Sequence, residues 1–163
     1  MGKKEKEIKT NAMRMLDKGK IPYQVYTYAC EEFLDGIQVA DLLGLPHDQV
    51  YKTLVTVGKS KAYYVFVIPI EAELDLKKAA RVCGEKSVEM LPLKELTPVT
   101  GYVRGGCTAL GMKKQFPMFL EERAKELPKI FVSGGLRGVQ LQLAPEDLLR
   151  ASGGVLASVC MEP

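Results

Sequence analysis

The sequence predicts an α/β fold: a single domain built on a mixed, barrel-like β-sheet with flanking helices. Three observations lead there. The chain has 163 residues, the length of one ordinary domain. Short β-rich runs alternate with stretches of helical apolar spacing along that length, which suits a mixed sheet with helices packed against it. Glycine or proline punctuates most junctions between the two kinds of segment. The domain is expected to occupy residues 1–163, with residues 1–7 frayed.

Each element has its own signal. Ile8, Ala12, Met15 and Leu16 form an apolar stripe at helical spacing, ended by Gly19. Tyr23 to Tyr28 alternates and is rich in tyrosine and valine, which predicts a strand. Ile37 to Leu43 reads as a short helix closed by Gly44. Tyr51 to Val57 and Ala62 to Ile68 are β-rich and lie either side of Gly58-Lys59-Ser60-Lys61, so a hairpin is predicted. Asp75 suits the N-cap of a helix running through Val82, with Gly84 beyond its end. Ser87 to Leu91 is a short strand, and Pro92 suits the first turn of the helix after it. Residues Gly101 to Gly111 read mostly as loop. Phe116 to Leu120 and Ile130 to Ser133 are strands around a helical turn at Glu121 to Glu126. Val139 to Leu143 alternates again. A helix beginning at Pro145 and ending at Gly153-Gly154 precedes a last strand from Val155 to Val159.

Composition excludes several classes. At 47% hydrophobic and 26% charged residues, the chain is neither collagenous, disordered nor a disulfide scaffold. The net charge of +3 is unevenly placed: residues 1–20 hold seven basic and three acidic side chains, leaving 16 basic and 17 acidic in residues 21–163. The body is therefore neutral and offers no broad basic face. No apolar run reaches the ~18–20 residues of a membrane helix, and no secretory signal is expected. Cys30, Cys83, Cys107 and Cys160 are scattered without a C-x-x-C pair, and His47 is the lone histidine. Reduced thiols in a cytoplasmic protein are the simplest reading, with no zinc set, metal or cofactor implied.

Glycine clusters are the most unusual feature. Gly105-Gly106, Gly111, Gly134-Gly135 and Gly138 occupy two loops beside predicted strands. They either form tight turns or aim several N–H groups at one oxygen. Gly106 to Gly111 has Walker A glycine spacing, but Met112 stands where the lysine must be, so a P-loop is excluded. Gly135-Leu-Arg-Gly138 matches the G-x-x-G of a KH domain but is flanked by strands rather than helices. His47 lies in a Pro-His-Asp turn suited to a surface or capping role, which leaves no Ser-His or Cys-His pair. Cys107 is either a reactive thiol or a small, apolar-fitting side chain. Glu71, Glu73 and Asp75 read as capping and solvation. Lys52 opens an apolar strand and is either a snorkelling edge charge or a cation pointed into a pocket. Arg104, Lys113, Lys114 and Arg137 flank the glycine loops as a potential cationic rim.

Four segments together resemble a known family. Val50-Tyr-Lys-Thr-Leu-Val55, Leu74-Asp-Leu-Lys-Lys78, Gly101-Tyr-Val-Arg-Gly-Gly-Cys-Thr-Ala-Leu-Gly-Met-Lys-Lys114 and Val132-Ser-Gly-Gly-Leu-Arg-Gly138 are similar to the YbaK/EbsC-type aminoacyl-tRNA deacylases. That family is related to the editing domain inserted in bacterial prolyl-tRNA synthetase. The resemblance runs in order from about Met13 to Val159. It implies trans-editing: removal of mischarged cysteine from tRNA(Pro), with Cys-tRNA(Cys) a further candidate, by substrate-assisted ester cleavage. It places Lys52 and Gly105 in catalytic positions, and Tyr28, Phe33, Thr53, Gly106, Ser133, Gly134 and Arg137 in substrate-binding ones. The implied partners are the acceptor end of an aminoacylated tRNA and prolyl-tRNA synthetase. Two departures stand out: Gln140 where the family often has an acidic residue, and Cys107-Thr-Ala where relatives commonly read apolar-Ser-Pro.

An activated ester needs orientation and oxyanion stabilisation more than a strong base, which accounts for the missing histidine. On this reading the Gly105 and Gly106 amides hold the ester and Lys52 neutralises developing charge. Two alternatives stand beside it: a deacylase for another small amino acid such as alanine, and a non-catalytic RNA- or synthetase-binding module. A panel of mischarged tRNAs separates the first, and an ester-cleavage assay the second.

Overall fold

Local signals explain most of the elements of the computed structural model, which describes residues 9–162. The first helix, α1 (Asn11–Lys18), begins where the Thr10 hydroxyl accepts from the Met13 N–H, and it buries Ala12, Met13 and Leu16. Ile8, the predicted start of its stripe, and the frayed residues 1–7 lie outside the described residues. Strand β1 (Gln24–Thr27) is shorter than its alternating pattern. Helix α2 (Gly36–Leu43) carries a reciprocal cap: the Asp35 side chain accepts from the Gln38 N–H, and the Gln38 side chain accepts from the Asp35 N–H. Strands β2 (Tyr51–Gly58) and β3 (Tyr63–Pro69) form the expected hairpin, in register from Tyr51 opposite Pro69 to Val57 opposite Tyr63.

Helix α3 (Leu76–Cys83) is capped by Asp75, which accepts from the Lys77 and Lys78 N–H groups. Strand β4 (Val88–Met90) and helix α4 (Leu93–Thr100) follow. Beyond a long loop come β5 (Met118–Glu121), a 3₁₀ turn (Glu122–Glu126), β6 (Ile130–Ser133) and β7 (Val139–Leu143). Helix α5 (Pro145–Ser152) starts on its proline and stops at a left-handed Gly153, leaving β8 (Val155–Ala157) as the last strand.

The strands build two sheets rather than the barrel-like sheet expected. The larger is mixed, in the order β4-β2-β3-β5-β8, and the smaller is antiparallel, in the order β1-β7-β6. They meet where Val50, just before β2, and Phe131 of β6 form a single parallel bridge. No ladder joins the outer strands β4, β8 and β1, so the surface stays open. The edge strands β4 and β8 are three residues long, too short to carry pairing around a closed cylinder.

Packing fastens the junction. The main core fills the space under α1 and α5 and between the sheets, around Leu16, Leu110, Leu120, Ile130, Leu141 and Leu148. A second core lies beneath α3, around Phe66, Ile68 and Ala79. A third, smaller one joins Ala40 of α2 to Val50, Ile70 and Phe131, so α2 is seated on the place where the sheets meet.

One buried carboxylate ties the C-terminal segment to β5. Burial alone would raise the pKa of Glu121, but hydrogen bonds from the Val159, Cys160 and Arg123 N–H groups outweigh it and lower the pKa below 4.5. Its contribution is therefore present above pH 4.5 and is lost as pH falls through the lowered value. Glu121→Ala should cost about 2–4 kcal/mol in urea unfolding at pH 7, since each buried donor left unpaired costs ~1–3 kcal/mol. A loss below about 1 kcal/mol would mean the C-terminal segment is held by other contacts.

Candidate functional site

A cleft of about 260 Å³ opens at the sheet junction. Three parts of the chain form its walls: the segment from Phe33 into α2, the start of β2, and the loop around Gly105, with Tyr28, Ser133 and Gln140 from the smaller sheet's side. Of the residues expected from the sequence, Lys52, Thr53, Gly105, Tyr28, Phe33 and Ser133 converge on it. Gly106, Gly134 and Arg137 do not line it.

Lys52 is half-buried in this cleft. Burial lowers its pKa from 10.5, with Cys160, Glu73 and Asp35 acting in the opposite direction. It takes part in none of the ion pairs found among the described residues. Asp35, the carboxylate in the cleft wall, is occupied as the cap of α2. The lysine is thus a cation in a pocket rather than an edge charge spread over apolar surface.

Turn geometry decides what the glycines do. The Gly106 N–H donates to the Val103 carbonyl at 2.9 Å, closing a tight turn in which Gly105 has φ +89°. Such a turn requires a left-handed residue at that place, and glycine meets the requirement without strain. The Gly106 amide is therefore already used and cannot hold an ester oxygen as the sequence suggested. The Gly105 N–H makes no hydrogen bond among the described residues and is the one left for that work. Both glycines also admit the second loop: a Cβ at Gly105 would lie 3.0 Å from Phe33 and 3.2 Å from the Arg137 Nε, and one at Gly106 3.1 Å from the Leu136 and Arg137 backbone. Gly134 is held from both sides, donating to the Val139 carbonyl and accepting from the Thr10 hydroxyl at 2.6 Å. Both backbone groups of Gly134 are thus engaged within the protein.

The remaining titratable candidates separate cleanly. Burial pushes the Cys107 thiol up to about 12, so it stays protonated and is a packing residue rather than a nucleophile. His47 lies outside the cleft, 2.6 Å from both the Asp41 and Glu71 carboxylates, which raise its pKa above 6.5. A second cleft, of about 430 Å³, adjoins His47, Glu71, Glu73, Arg123 and Glu162. It is larger, but its histidine is committed to two carboxylates and its arginine to Glu121, so among the described residues it offers no free cation. Of the expected cationic rim, Arg104 and Arg137 gather at Phe33, while Lys113 donates to the Pro98 carbonyl.

Gln140 and the α2 entry had no assigned role in the sequence. Gln140 is 6% exposed and its Oε1 has no hydrogen-bond partner among the described residues, although the residue lines the cleft. The Asp35-x-x-Gln38 spacing of the α2 cap was readable from the sequence as a helix start. Nothing in the spacing announces that Val39 and Ile70 would wall the same cleft.

The arrangement suits an anionic or acyl group entering between Lys52 and Gly105. Residues 32–151 match the family described as the aminoacyl-tRNA editing domain. The chain belongs to that family. EbsC of Enterococcus faecalis, described as a candidate Cys-tRNA(Pro)/Cys-tRNA(Cys) deacylase, is 49% identical over 160 residues, covering 98% of each chain. Among solved structures, a candidate trans-editing enzyme for prolyl-tRNA synthetase superposes with a TM-score of 0.81 at 24% identity, over 96% of this chain and 100% of that one. The hypothetical protein APE2540 does so with a TM-score of 0.84 at 20% identity, over 93% and 99%. At these identities the two structures show that the editing-domain fold is shared.

The crowding at Gly105 can be measured separately from its left-handed backbone. Gly44 has φ +70° with nothing near its missing Cβ, whereas Gly105 has φ +89° with Phe33 and Arg137 against it. Gly44→Ala should cost about 1–2 kcal/mol from backbone strain alone, and Gly105→Ala more. Equal losses in urea unfolding would mean that Phe33 and Arg137 yield freely.

Proposed function

We propose that the chain is a trans-editing aminoacyl-tRNA deacylase that removes cysteine from mischarged tRNA(Pro) and also accepts Cys-tRNA(Cys). The whole chain acts as one editing domain. The observation that carries this reading is the half-buried Lys52, without an ion-pair partner among the described residues, in a cleft it shares with the Gly105 turn. The 49% identity to EbsC supports the choice of substrate.

The cleft lining contains no histidine, and its cysteine is a neutral thiol, so the substrate supplies its own nucleophile. The cysteinyl sulfur attacks its own ester carbonyl. A C–S bond forms, the C–O bond to the ribose breaks, and the ribose oxygen takes the thiol proton. The products are tRNA and a cyclic thioester, which water opens to free cysteine. Lys52 and the Gly105 N–H stabilise the charge that grows on the carbonyl oxygen, while Tyr28, Phe33, Thr53 and Ser133 bound the acyl group. Gly106 lets the two loops approach, Gly134 fixes the second loop through Val139 and Thr10, and Arg137 ties that loop to the Arg104 carbonyl while its exposed guanidinium faces the substrate's approach. The cleft admits only the acceptor end of a tRNA, so discrimination among tRNAs comes from prolyl-tRNA synthetase acting as a partner.

Deacylation of Cys-tRNA(Pro) and Ser-tRNA(Pro) tests the scheme directly. Cysteine should leave much faster than serine, whose hydroxyl is the poorer nucleophile. Lys52→Ala should lower kcat by about 10²–10³-fold, the usual loss on removing one group that stabilises an oxyanion. Equal rates on the two substrates would refute thiol assistance, and an unaffected lysine variant would remove Lys52 from the chemistry. Omitting the synthetase should abolish tRNA selectivity; unchanged selectivity would argue against the partnership.

A further inference from the structure

Two arginines stand at the mouth of the cleft with nothing acidic attached to them. The Arg104 guanidinium lies 4.1 Å from the centroid of the Phe33 ring and that of Arg137 5.6 Å from it. Both residues are exposed, and neither occurs in an ion pair among the described residues. Glu31 and Glu32, adjacent to Phe33 in sequence, are exposed and pair with neither.

This way of holding arginine has a particular consequence. A carboxylate would fix a guanidinium by neutralising it and occupying its N–H groups, whereas an aromatic face fixes it while leaving charge and donors available. Arg137 uses its Nε to donate to the Arg104 carbonyl at 2.7 Å, which ties one loop to the other, and its terminal nitrogens make no hydrogen bond among the described residues. The two loops are further locked because Gly105 and Gly106 have no side chains to separate them from Arg137 and Leu136. Each loop tip also exposes an aliphatic neighbour, Val103 at 47% and Leu136 at 46%. The result is a preset pair of planar, doubly donating cations beside apolar surface, on a body whose residues 21–163 have nearly balanced charge. Paired guanidinium forks match phosphate oxygens, and adjacent aliphatic surface suits the faces of unstacked bases.

We propose that Arg104 and Arg137, braced on Phe33, clamp the terminal phosphodiesters of the single-stranded RNA end whose aminoacyl group enters the cleft. This rests on the deacylase reading above and assigns to these residues the substrate's backbone rather than its reacting ester. The clamp gives a nearly neutral protein a local grip on a polyanion, placed so that the ester is delivered toward Lys52.

The test compares Cys-tRNA(Pro) with 3′-O-cysteinyl-adenosine, the same ester without any phosphate, for wild type, Arg104→Gln, Arg137→Gln and a control, Lys59→Gln, at the far end of β2. Each arginine variant should raise KM for the tRNA at least tenfold with kcat changed less than twofold, and should lose at least tenfold more on the tRNA than on the adenosine ester. The slope of log(kcat/KM) against log salt should shrink by about 0.7 for each phosphate that is no longer neutralised, and Lys59→Gln should leave it as in wild type. Arg104→Lys should restore the salt slope but only part of the affinity, since an ammonium lacks the fork. Equal losses on both substrates would show that the arginines only support the cleft, and an unchanged salt slope would show that they meet no phosphate; either result overturns the clamp. If wild type cleaves neither ester, the deacylase reading falls, and binding of an uncharged CCA-ended minihelix by fluorescence anisotropy decides the clamp. A reduced salt slope in the arginine variants would then support it, and an unchanged slope would overturn it.

Discussion

Half-burying the Lys52 ammonium with no carboxylate at ion-pair distance among the described residues costs free energy, and the surrounding structure keeps it in that position. Lys52 pairs across the β2–β3 ladder with the fully buried Ile68, so its backbone cannot slip without moving the second core. Val50, two residues earlier, bridges to Phe131 and joins the two sheets. Asp35, an acid in the same cleft wall, is engaged at the start of α2 by the Gln38 N–H at 2.8 Å. A cation maintained this way is a stored preference for an anionic or polarised ligand.

The opposite wall depends on missing side chains. Gly105 takes the left-handed position of a tight turn, and with Gly106 it lets the Leu136–Arg137 loop approach to contact distance. That approach seats two arginines on Phe33, while the Gly105 N–H has no partner among the described residues. The division of labour follows from position. On the proposed reading, Lys52 is inside, where low dielectric strengthens its effect on a developing charge, and the arginines are outside, where charge acts on a long polyanion.

Much of the fold was legible in the sequence because its signals are local. Asp75 before α3, Gly44 and Gly84 after α2 and α3, the β-rich runs of β2 and β3 and the alternation of β7 act within a few residues, and each element formed where they indicate. Closure of the sheet was not legible, since it depends on whether edge strands of three residues find partners far along the chain. The same divide runs through the site. Lys52, Thr53, Tyr28, Phe33, Ser133 and Gly105 were identified by their resemblance to a family, and they converge. The resemblance did not distinguish the free amide of Gly105 from the spent amide of Gly106, because that depends on the turn closed by the Val103 carbonyl. Nor did it show that His47 would be enclosed by Asp41 and Glu71, the latter 24 residues away.

The central claim is that the cleft between Lys52 and Gly105 receives an aminoacylated ribose. Its most direct test is a titration of isotopically labelled protein with 3′-cysteinylamido-adenosine, a stable amide in place of the ester, followed by backbone and lysine side-chain resonances. The account predicts saturable shifts at the Gly105, Thr53 and Ser133 amides and at the Lys52 Nζ. Shifts confined to the His47–Arg123 cleft, or none at concentrations that inhibit deacylation, would contradict it.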